Sequence, residues 1–406
     1  MKIFILVSTA ILTLIVTHIP TVAQGVWTQK ADFGGINREM AVGFSIGTKG
    51  YIGTGHNNWT PYQDFWEWDQ ATNVWTQKAD FSGGVRARAV GFSIGTKGYI
   101  GTGATNTSIY NDFWEWDQAT NTWTQKANFG GTATYYAVGF SIGTKGYIGT
   151  GMMGWKRDFW EWDGDISSPT YNTWTQKNAF GGYGRYFATG FSIGTKGYIG
   201  TGYDTTGFRQ KDFWEWDQAT NIWTQKANVG GTERMVAVGF SIGNKGYIAM
   251  GSDTIVGLKN DVWEYDPSSN VWIQKTNFTG TGRQCSVGFS IGALGYIGTG
   301  QDGTYKKDFW EFDPNGNGIN EYENKISISI FPNPLSTQTT LQTDYLLKNA
   351  TLSVDNCSGQ TVKQIKNISG QTVVLSRDNL ASGLYFVRLT EENKTIAVDK
   401  LVIVDN

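Results

Sequence analysis

The sequence has few of the side chains that metal or histidine-based catalysis requires. Its 406 residues include two histidines and two cysteines. His18 lies in an apolar leader segment, so His56 is the one histidine expected in the exported chain. A histidine-rich zinc or copper centre cannot be built from one imidazole, and no Ser-His-Asp arrangement is visible. We therefore expect no catalytic residue, no metal and no cofactor.

Charge and long apolar runs are also scarce. Charged residues are 17% of the chain and the net charge is −2, so a nucleic-acid partner, which would need a basic stripe, is not expected. Lys2, the apolar run 3–16 and the small residues 21–23 predict a signal peptide over residues 1–23. A membrane anchor is the alternative, but the run is short for a span, so we expect a soluble mature chain. Cys285 and Cys357 fall in separate predicted domains, which argues against a disulfide framework.

Glycine and tryptophan, by contrast, are abundant, and they recur periodically. The segment GFSIGTKGYIGTG begins at Gly43 and returns, nearly unchanged, at positions 91, 139, 190, 239 and 288. A DFWEWD-like segment follows each copy, and WTQK or WIQK follows five of them. Each unit predicts four short strands bounded by turns. The motif FWEW is too apolar for a half-exposed strand and fits a sheet packed between two neighbours, as in a propeller blade.

These units resemble the kelch family of β-propellers over Val26–Asp313. The resemblance rests on the period near 50 residues, the tyrosine before a glycine pair and the later tryptophan, although Thr54 separates the two glycines here. We predict an all-β protein with a six-bladed kelch-type propeller over residues 24–313. WTQK stands at Val26–Lys30 before the first unit and is missing after the last. We therefore expect Val26–Lys30 to complete the blade of Gly288–Asp313.

The composition changes near Ile326, after a linker expected at residues 314–325. The linker begins as a calcium loop would, but Asn324 replaces the glutamate that an EF-hand requires. Alternating apolar residues predict a small β-sandwich over residues 326–406. Its PNP start, GLYFVRL core and KLVIV end resemble the C-terminal sorting domain of the type IX secretion system. That resemblance implies the secretion machinery as a partner and a secreted or cell-surface protein; an ordinary accessory sandwich is the alternative.

The loops of the predicted blades differ at the two ends of the ring. The 1–2 and 3–4 turns are nearly constant, whereas the 2–3 and 4–1 loops, which share the other face, vary. Loops on a rigid scaffold commonly carry binding residues, and flat rings with polar edges suit sugars or protein hot spots. Drift among capping loops is the alternative explanation. The candidate ligand-binding residues are Trp59, Tyr62, Tyr110, Trp155, Arg157, Tyr183, Tyr186, Phe208, Arg209 and Tyr305.

One arginine position repeats in five copies, with Thr134 in the third. We expect these arginines at the mouth of the central channel, either attracting an anionic ligand or bonding neighbouring loops. The repeated acids, such as Asp64, Glu67 and Asp69, are expected to accept backbone N–H bonds at turns. The arginine positions are Arg38, Arg86, Arg185, Arg234 and Arg283.

The sequence favours a secreted or cell-surface, non-catalytic recognition protein that binds glycan or an extracellular protein through the variable loops. Two alternatives stay open. One is a metal-independent carbohydrate-active enzyme of the kelch sialic-acid mutarotase sort, for which Glu39 and Glu233 are the acids beside the repeated arginines. The other is a passive surface or adhesion component. A propeller fold alone does not choose among them.

Overall fold

A computed structural model describes residues 25–255, 257–316, 328–356, 359–391 and 394–405. The predicted signal peptide, Cys357 and most of the predicted linker lie outside the described residues. The chain divides into two compact units, Met1–Asn317 and Gly318–Asn406. The described segments contain no helix long and apolar enough to cross a membrane.

The first unit consists mainly of six four-stranded antiparallel sheets, which confirms the predicted all-β propeller. We number the blades 1–6 along the chain, and the strands 1–4 from the inside of each blade. The strands of blade 1 are Val42–Ile46, Lys49–Gly53, Phe65–Asp69 and Val74–Gln77; of blade 2, Val90–Ile94, Lys97–Gly101, Phe113–Asp117 and Thr122–Gln125; of blade 3, Val138–Ile142, Lys145–Gly149, Phe159–Asp163 and Trp174–Lys177.

The sixth sheet combines the two ends of the propeller sequence. Val26–Lys30 pairs antiparallel with Phe309–Asp313, with Trp27 opposite Phe312. The innermost strands of blades 1 and 6 also contact each other, which closes the ring. The strands of blade 4 are Thr189–Ile193, Lys196–Gly200, Phe213–Asp217 and Ile222–Lys226; of blade 5, Val238–Ile242, Lys245–Ala249, Val262–Asp266 and Val271–Lys275; of blade 6, Val287–Ile291, Leu294–Gly298, Phe309–Asp313 and Val26–Lys30.

Neighbouring blades pack through aromatic side chains that recur at the same positions. Phe44 of blade 1 lies over Gly98 of blade 2, where an added Cβ would come within 2.5 Å of the ring. Trp116 of blade 2 packs against Tyr51 and Phe65 of blade 1, with ring centroids 5.0 and 5.1 Å apart. Burying a large apolar side chain stabilises a fold by about 1.5–3 kcal/mol. The repeated aromatic residues therefore account for much of the stability of the ring.

The 1–2 and 3–4 turns lie together at one end of the propeller, which we call the constant end. Hydrogen bonds that are largely repeated from blade to blade stabilise this end. In blade 2, Asn121 adopts a left-handed conformation with φ 54°. Its side-chain oxygen accepts bonds from Trp116 Nε1 at 3.2 Å and from the Ala79 amide at 3.0 Å. Asp69 likewise accepts the Ala71 amide at 2.8 Å. The DQATN turns are thus fixed by the fold, which explains their near-identity.

The second unit is a five-stranded antiparallel sheet. Its strands are Ile328–Phe331, Gln338–Asn356, Thr361–Ser376, Gly383–Glu391 and Lys394–Ile403. The two longest strands contain several register shifts, and such bulges bend a strand. Leu341, Leu375, Leu389 and Leu401, which come from four different strands, share one core. The sheet therefore folds over its own apolar side chains.

Candidate functional site

The 2–3 loops and the links between blades meet at one end of the propeller, which we call the variable face. Each loop is tied to the link that enters the following blade. The Arg86 amide donates to the Tyr62 carbonyl at 3.1 Å, and the Arg234 amide to the Gln210 carbonyl at 3.1 Å. Because the backbone supplies these bonds, the side chains of this face can vary without loosening it.

The repeated arginines lie beneath this face rather than around the channel mouth. All five are at most 1% exposed. In blade 5, the Nη atoms of Arg234 donate to both oxygens of Asp261 at 2.7 Å, and Nη1 also donates to the Met250 carbonyl at 3.0 Å. Burial favours a raised pKa for the Asp261 carboxyl, but the bonds and charge of Arg234 outweigh it and lower the pKa. This corrects the expected ring of accessible cations: Arg38, Arg86, Arg185, Arg234 and Arg283 each pair with the first aspartate of the DFWEWD-like segment.

The repeated carboxylates thus divide into three roles. Asp69 binds turn amides, as expected, whereas Asp64 binds Arg38 and Glu67 accepts the hydroxyl of Tyr51 at 2.7 Å. None of these roles belongs to a single active site.

Two of the candidate tyrosines cover the buried arginines. The ring centroid of Tyr62 lies 4.6 Å from the guanidinium carbon of Arg38, and that of Tyr110 lies 4.1 Å from that of Arg86. These are cation–π contacts. Tyr62 and Tyr110 therefore stabilise the loops, and only their outer edges remain for a ligand.

Six residues in the left-handed conformation surround the channel mouth. The sequence did not single out these positions, although their identity differs in every copy. The amide of Arg88 donates to the carbonyl of Met40, and that of Tyr136 to the carbonyl of Arg88, each at 3.0 Å. Similar bonds continue around the channel and hold its rim. The six residues, with φ between 51° and 64°, are Met40, Arg88, Tyr136, Phe187, Val236 and Cys285.

These rim residues line a small pocket of about 160 Å³. Below it, a cavity of about 190 Å³ is lined by the alanine, valine, glycine, serine and threonine residues that start the inner strands. The lining of this lower cavity contains no charged side chain. Of the two linings, only that of the rim pocket contains a charged side chain, Arg88.

A buried polar cluster lies beside this pocket. Glu39 and His56 are 7% and 3% exposed, and His56 Nε2 is 3.6 Å from Glu39 Oε1. Arg88 lies near both, with its guanidinium 5.4 Å from the ring centroids of Trp59 and Tyr136. Both nitrogens of His56, Oε2 of Glu39 and Nε of Arg88 have no hydrogen-bond partner among the described residues. Buried polar groups without a hydrogen-bond partner lower the stability of the fold, so their presence calls for an explanation such as a functional role.

Burial shifts the pKa values of His56 and Glu39 in the direction that favours their neutral forms. Burial lowers the pKa of His56 to about 4, and the charge of Arg88 adds to this effect. Burial raises the pKa of Glu39, against the opposing contacts of Cys285, Gln301 and Arg88. The pKa of the Cys285 thiol is raised well above its usual range, mainly by burial. Cys285 is therefore a protonated thiol at neutral pH and a poor nucleophile.

A larger cavity, which we call the blade 4 cleft, opens at the outer part of the variable face. Its volume is about 890 Å³. Tyr183 and Phe208 border it and are 62% and 68% exposed. Arg157 and Arg209 also line it. The structure thus brings four of the predicted candidates into one concave site.

The other candidates lie apart from this cleft. Trp155, Tyr186 and Tyr203 form an aromatic cluster, with ring centroids 5.0 to 5.7 Å apart. Trp59 stacks on His56 at 5.5 Å and is 61% exposed. Tyr305 lines a second cavity of about 760 Å³, between blades 6 and 1. The variable face therefore offers several surfaces rather than one.

No group of three His, Cys, Asp or Glu side chains suited to a metal ion occurs within the described ranges.

Thr134 replaces the repeated arginine in blade 3 and donates to the Met152 carbonyl at 2.8 Å. Asp158 Oδ2 accepts a bond from Trp160 Nε1 at 3.0 Å and lies 3.9 Å from Lys156, but its Oδ1 has no hydrogen-bond partner among the described residues. Among the six blades described, blade 3 therefore lacks the buried arginine–aspartate pair, which we call the anchor, that the other five contain.

Comparison with protein-family models identifies the C-terminal unit. Residues 329–404 match the family described as a secretion system C-terminal sorting domain. The chain therefore carries a type IX sorting domain and is a protein secreted and attached to the cell surface. The domain also implies interaction with the secretion machinery.

Comparison with solved structures finds 566 matching chains. One of them, titled "Structure of YjhT", aligns with a TM-score of 0.57 and 17% identity, over 69% of this chain and 95% of that chain. It is a β-propeller. At this identity the likeness shows the fold alone. No curated protein matches the chain.

Proposed function

We propose that this chain is a kelch-type propeller displayed at the cell surface, where it binds glycan through the variable face without catalysis. The blade 4 cleft carries the proposal. Two aromatic rings, Tyr183 and Phe208, stand exposed at a cavity of about 890 Å³ that basic side chains also line. Ligand sites are typically concave, with volumes of about 300–1,000 Å³ and a few polar groups. Exposed rings beside such groups suit the apolar faces of sugars.

A glycan fits this cleft better than a folded protein does. Protein interfaces concentrate their energy in a packed, desolvated centre of aromatic and arginine residues. Here Tyr183 and Phe208 border a hollow, and polar side chains such as Gln210 and Asn228 lie within it. A chain of sugars can enter such a hollow and stack on its edges.

A glycan-array and pull-down screen with the exported chain tests the proposal. Tyr183→Ala and Phe208→Ala should each weaken glycan binding at least tenfold. Ile166→Ala is a matched control, because Ile166 is 84% exposed in the 3–4 turn of blade 3, at the constant end. Binding that both cleft variants leave intact would place the site elsewhere. A screen that detects protein partners alone, or no saturable ligand, would contradict glycan recognition.

One observation favours the catalytic alternative, an enzyme of the kelch sialic-acid mutarotase sort. Glu39 is buried beside Arg88 at the channel mouth, and burial raises its pKa. A carboxyl with a raised pKa is better matched to proton transfer near neutral pH. Of these two residues, Arg88 lines the rim pocket and Glu39 lies behind that lining.

Proton NMR of freshly dissolved N-acetylneuraminic acid measures this alternative directly. An enzyme would speed the exchange of the two anomers, and Glu39→Gln would abolish the acceleration while leaving Tyr183→Ala active. An exchange rate equal to that of buffer would exclude the mutarotase activity.

A further inference from the structure

The blade 4 cleft carries an excess of positive charge. Its lining includes the cations Arg157, Arg209 and Lys211 and the acids Asp212 and Glu233. The carboxylate of Asp212 is already bound by Arg185 through both oxygens and by Trp214 Nε1 at 2.8 Å. Glu233 is therefore the one lining acid that remains to balance three cations.

The two guanidinium groups are partly prearranged. Nε and Nη2 of Arg157 donate to the Phe180 carbonyl at 3.1 and 2.9 Å, which fixes the plane of the side chain. The backbone of Arg209 is bridged to Tyr203, and its Nε is buried without a hydrogen-bond partner among the described residues. Prearranged donors lose little entropy when an anion binds, and a planar guanidinium can hold a carboxylate or sulfate through two bonds.

The second cavity, between blades 6 and 1, provides an internal comparison. Its lining cations are Lys306 and Lys307, and its acids are Asp32 and Asp308. Lys306 pairs with Asp302 at 2.8 Å, and Asp308 pairs with Arg283. The charges of the remaining pair, Lys307 and Asp32, are opposite and cancel. The fold alone therefore does not give a cavity between neighbouring loops a positive charge. The positive charge of the blade 4 cleft comes from the particular residues that line it.

We propose that the blade 4 cleft binds an anionic glycan, in which carboxylate or sulfate groups on the sugars contact Arg157, Arg209 and Lys211 while the sugar rings stack on Tyr183 and Phe208. The inference rests on the proposed function and names its ligand class. The rings alone would accept neutral and charged glycans alike. The three cations add the discrimination, since their attraction acts on charged sugars only.

Three polymers with one backbone separate charge from sugar recognition: dextran, carboxymethyl-dextran and dextran sulfate. Affinity should be measured on the exported chain, by calorimetry at two salt concentrations. We expect the charged polymers to bind at least tenfold more tightly than dextran at low salt, with a loss of affinity as salt rises. Arg157→Gln and Arg209→Gln should each reduce that preference at least fivefold. Lys307→Gln, in the second cavity, removes the same charge and should leave the preference unchanged.

The outcomes distinguish this inference from the proposed function. Equal binding of all three polymers, lost in Tyr183→Ala, would overturn the anionic preference and keep glycan recognition. A preference that Lys307→Gln weakens as much as Arg209→Gln does would show nonspecific attraction and overturn the cleft assignment. A preference for only the carboxylated or only the sulfated polymer supports the inference and identifies the group. Near-ultraviolet circular dichroism checks that each variant is folded, and a misfolded Arg209→Gln is replaced by Lys211→Gln with the same expectation.

Discussion

The constant end and the variable face, which we also call the variable end, are built from the same six repeats. The repeated residues are visible at the surface of the constant end but lie buried at the variable end. At the constant end, DQATN turns place residues such as Asn121 in the same hydrogen bonds blade after blade. At the variable end, a repeated arginine–aspartate pair lies underneath, and unlike side chains lie on top of it. Identical residues therefore support the fold at both ends, and the side chains of one end are free to differ from blade to blade.

The strongest way to break this comparison is to remove a buried anchor from the variable end. Arg234→Thr gives blade 5 the residue that blade 3 has naturally and leaves Asp261 buried without its partner. We expect a loss of about 3–5 kcal/mol in the free energy of unfolding, measured by urea denaturation. Asp158→Asn in blade 3, where Thr134 takes the place of the buried arginine, should cost under about 1 kcal/mol. Equal costs for the two variants would show that the pair is not an anchor.

A second difference is the pH dependence of stability that the buried His56, at the variable face, should confer above about pH 4. Burial holds the pKa of His56 at about 4 in the folded protein, against 6.5 for the unperturbed side chain. Between these values the unfolded chain binds a proton that the folded chain does not, so stability falls as the pH drops from about 6.5 to about 4. The loss should reach up to about 3 kcal/mol and stay absent above pH 7.

The histidine contribution is isolated by comparing the urea unfolding of wild type and His56→Gln from pH 4 to 7. Glu39 acts in the opposite direction, because its raised pKa lets the folded protein bind a proton more readily as the pH falls. Since both proteins keep Glu39, the difference between their stabilities reports His56. Parallel pH profiles would contradict the assignment.

At the constant end, a single turn residue should have a moderate effect. Asn121→Ala removes the acceptor for Trp116 and Ala79 and places alanine at a positive φ. We expect a loss of about 2 kcal/mol, whereas Asn121→Gly, which tolerates the backbone, should lose less. The control is Asn106→Ala in an exposed variable loop, which should change stability by under about 0.5 kcal/mol. An equal loss at Asn106 would remove the distinction between the two ends.

The smallest stability effect is expected where the functional effect is largest. Tyr183 is 62% exposed, so Tyr183→Ala should change the free energy of unfolding by under about 0.5 kcal/mol. Glycan affinity should nevertheless fall at least tenfold. Thermal denaturation and calorimetry on one preparation measure both quantities. A large loss of stability would mean that Tyr183 serves the scaffold after all.

The sequence predicted the architecture because the period is explicit and the aromatic strands occur in every unit. It placed the arginines at the channel mouth, since repetition does not reveal whether a side chain points to the axis or under a loop, but the alternative in which they bond neighbouring loops agrees with the structure. The buried cluster of Glu39, His56 and Arg88 was missed because loops of two blades assemble it. A signal was present: the position of Arg88 holds a different residue in each copy. The blade 4 cleft was predicted as separate residues and not as a cavity, because its volume depends on how three 2–3 loops and two links between blades lie together.

The propeller ring is closed by the pairing of its first strand, Val26–Lys30, with the last strand of the repeats, Phe309–Asp313. In a chain that folds from its N-terminus, that strand has no partner until the last blade is present. The ring can therefore close only when nearly the whole repeat array is available, and a chain interrupted earlier leaves Val26–Lys30 without its partner strand, which invites proteolysis or aggregation.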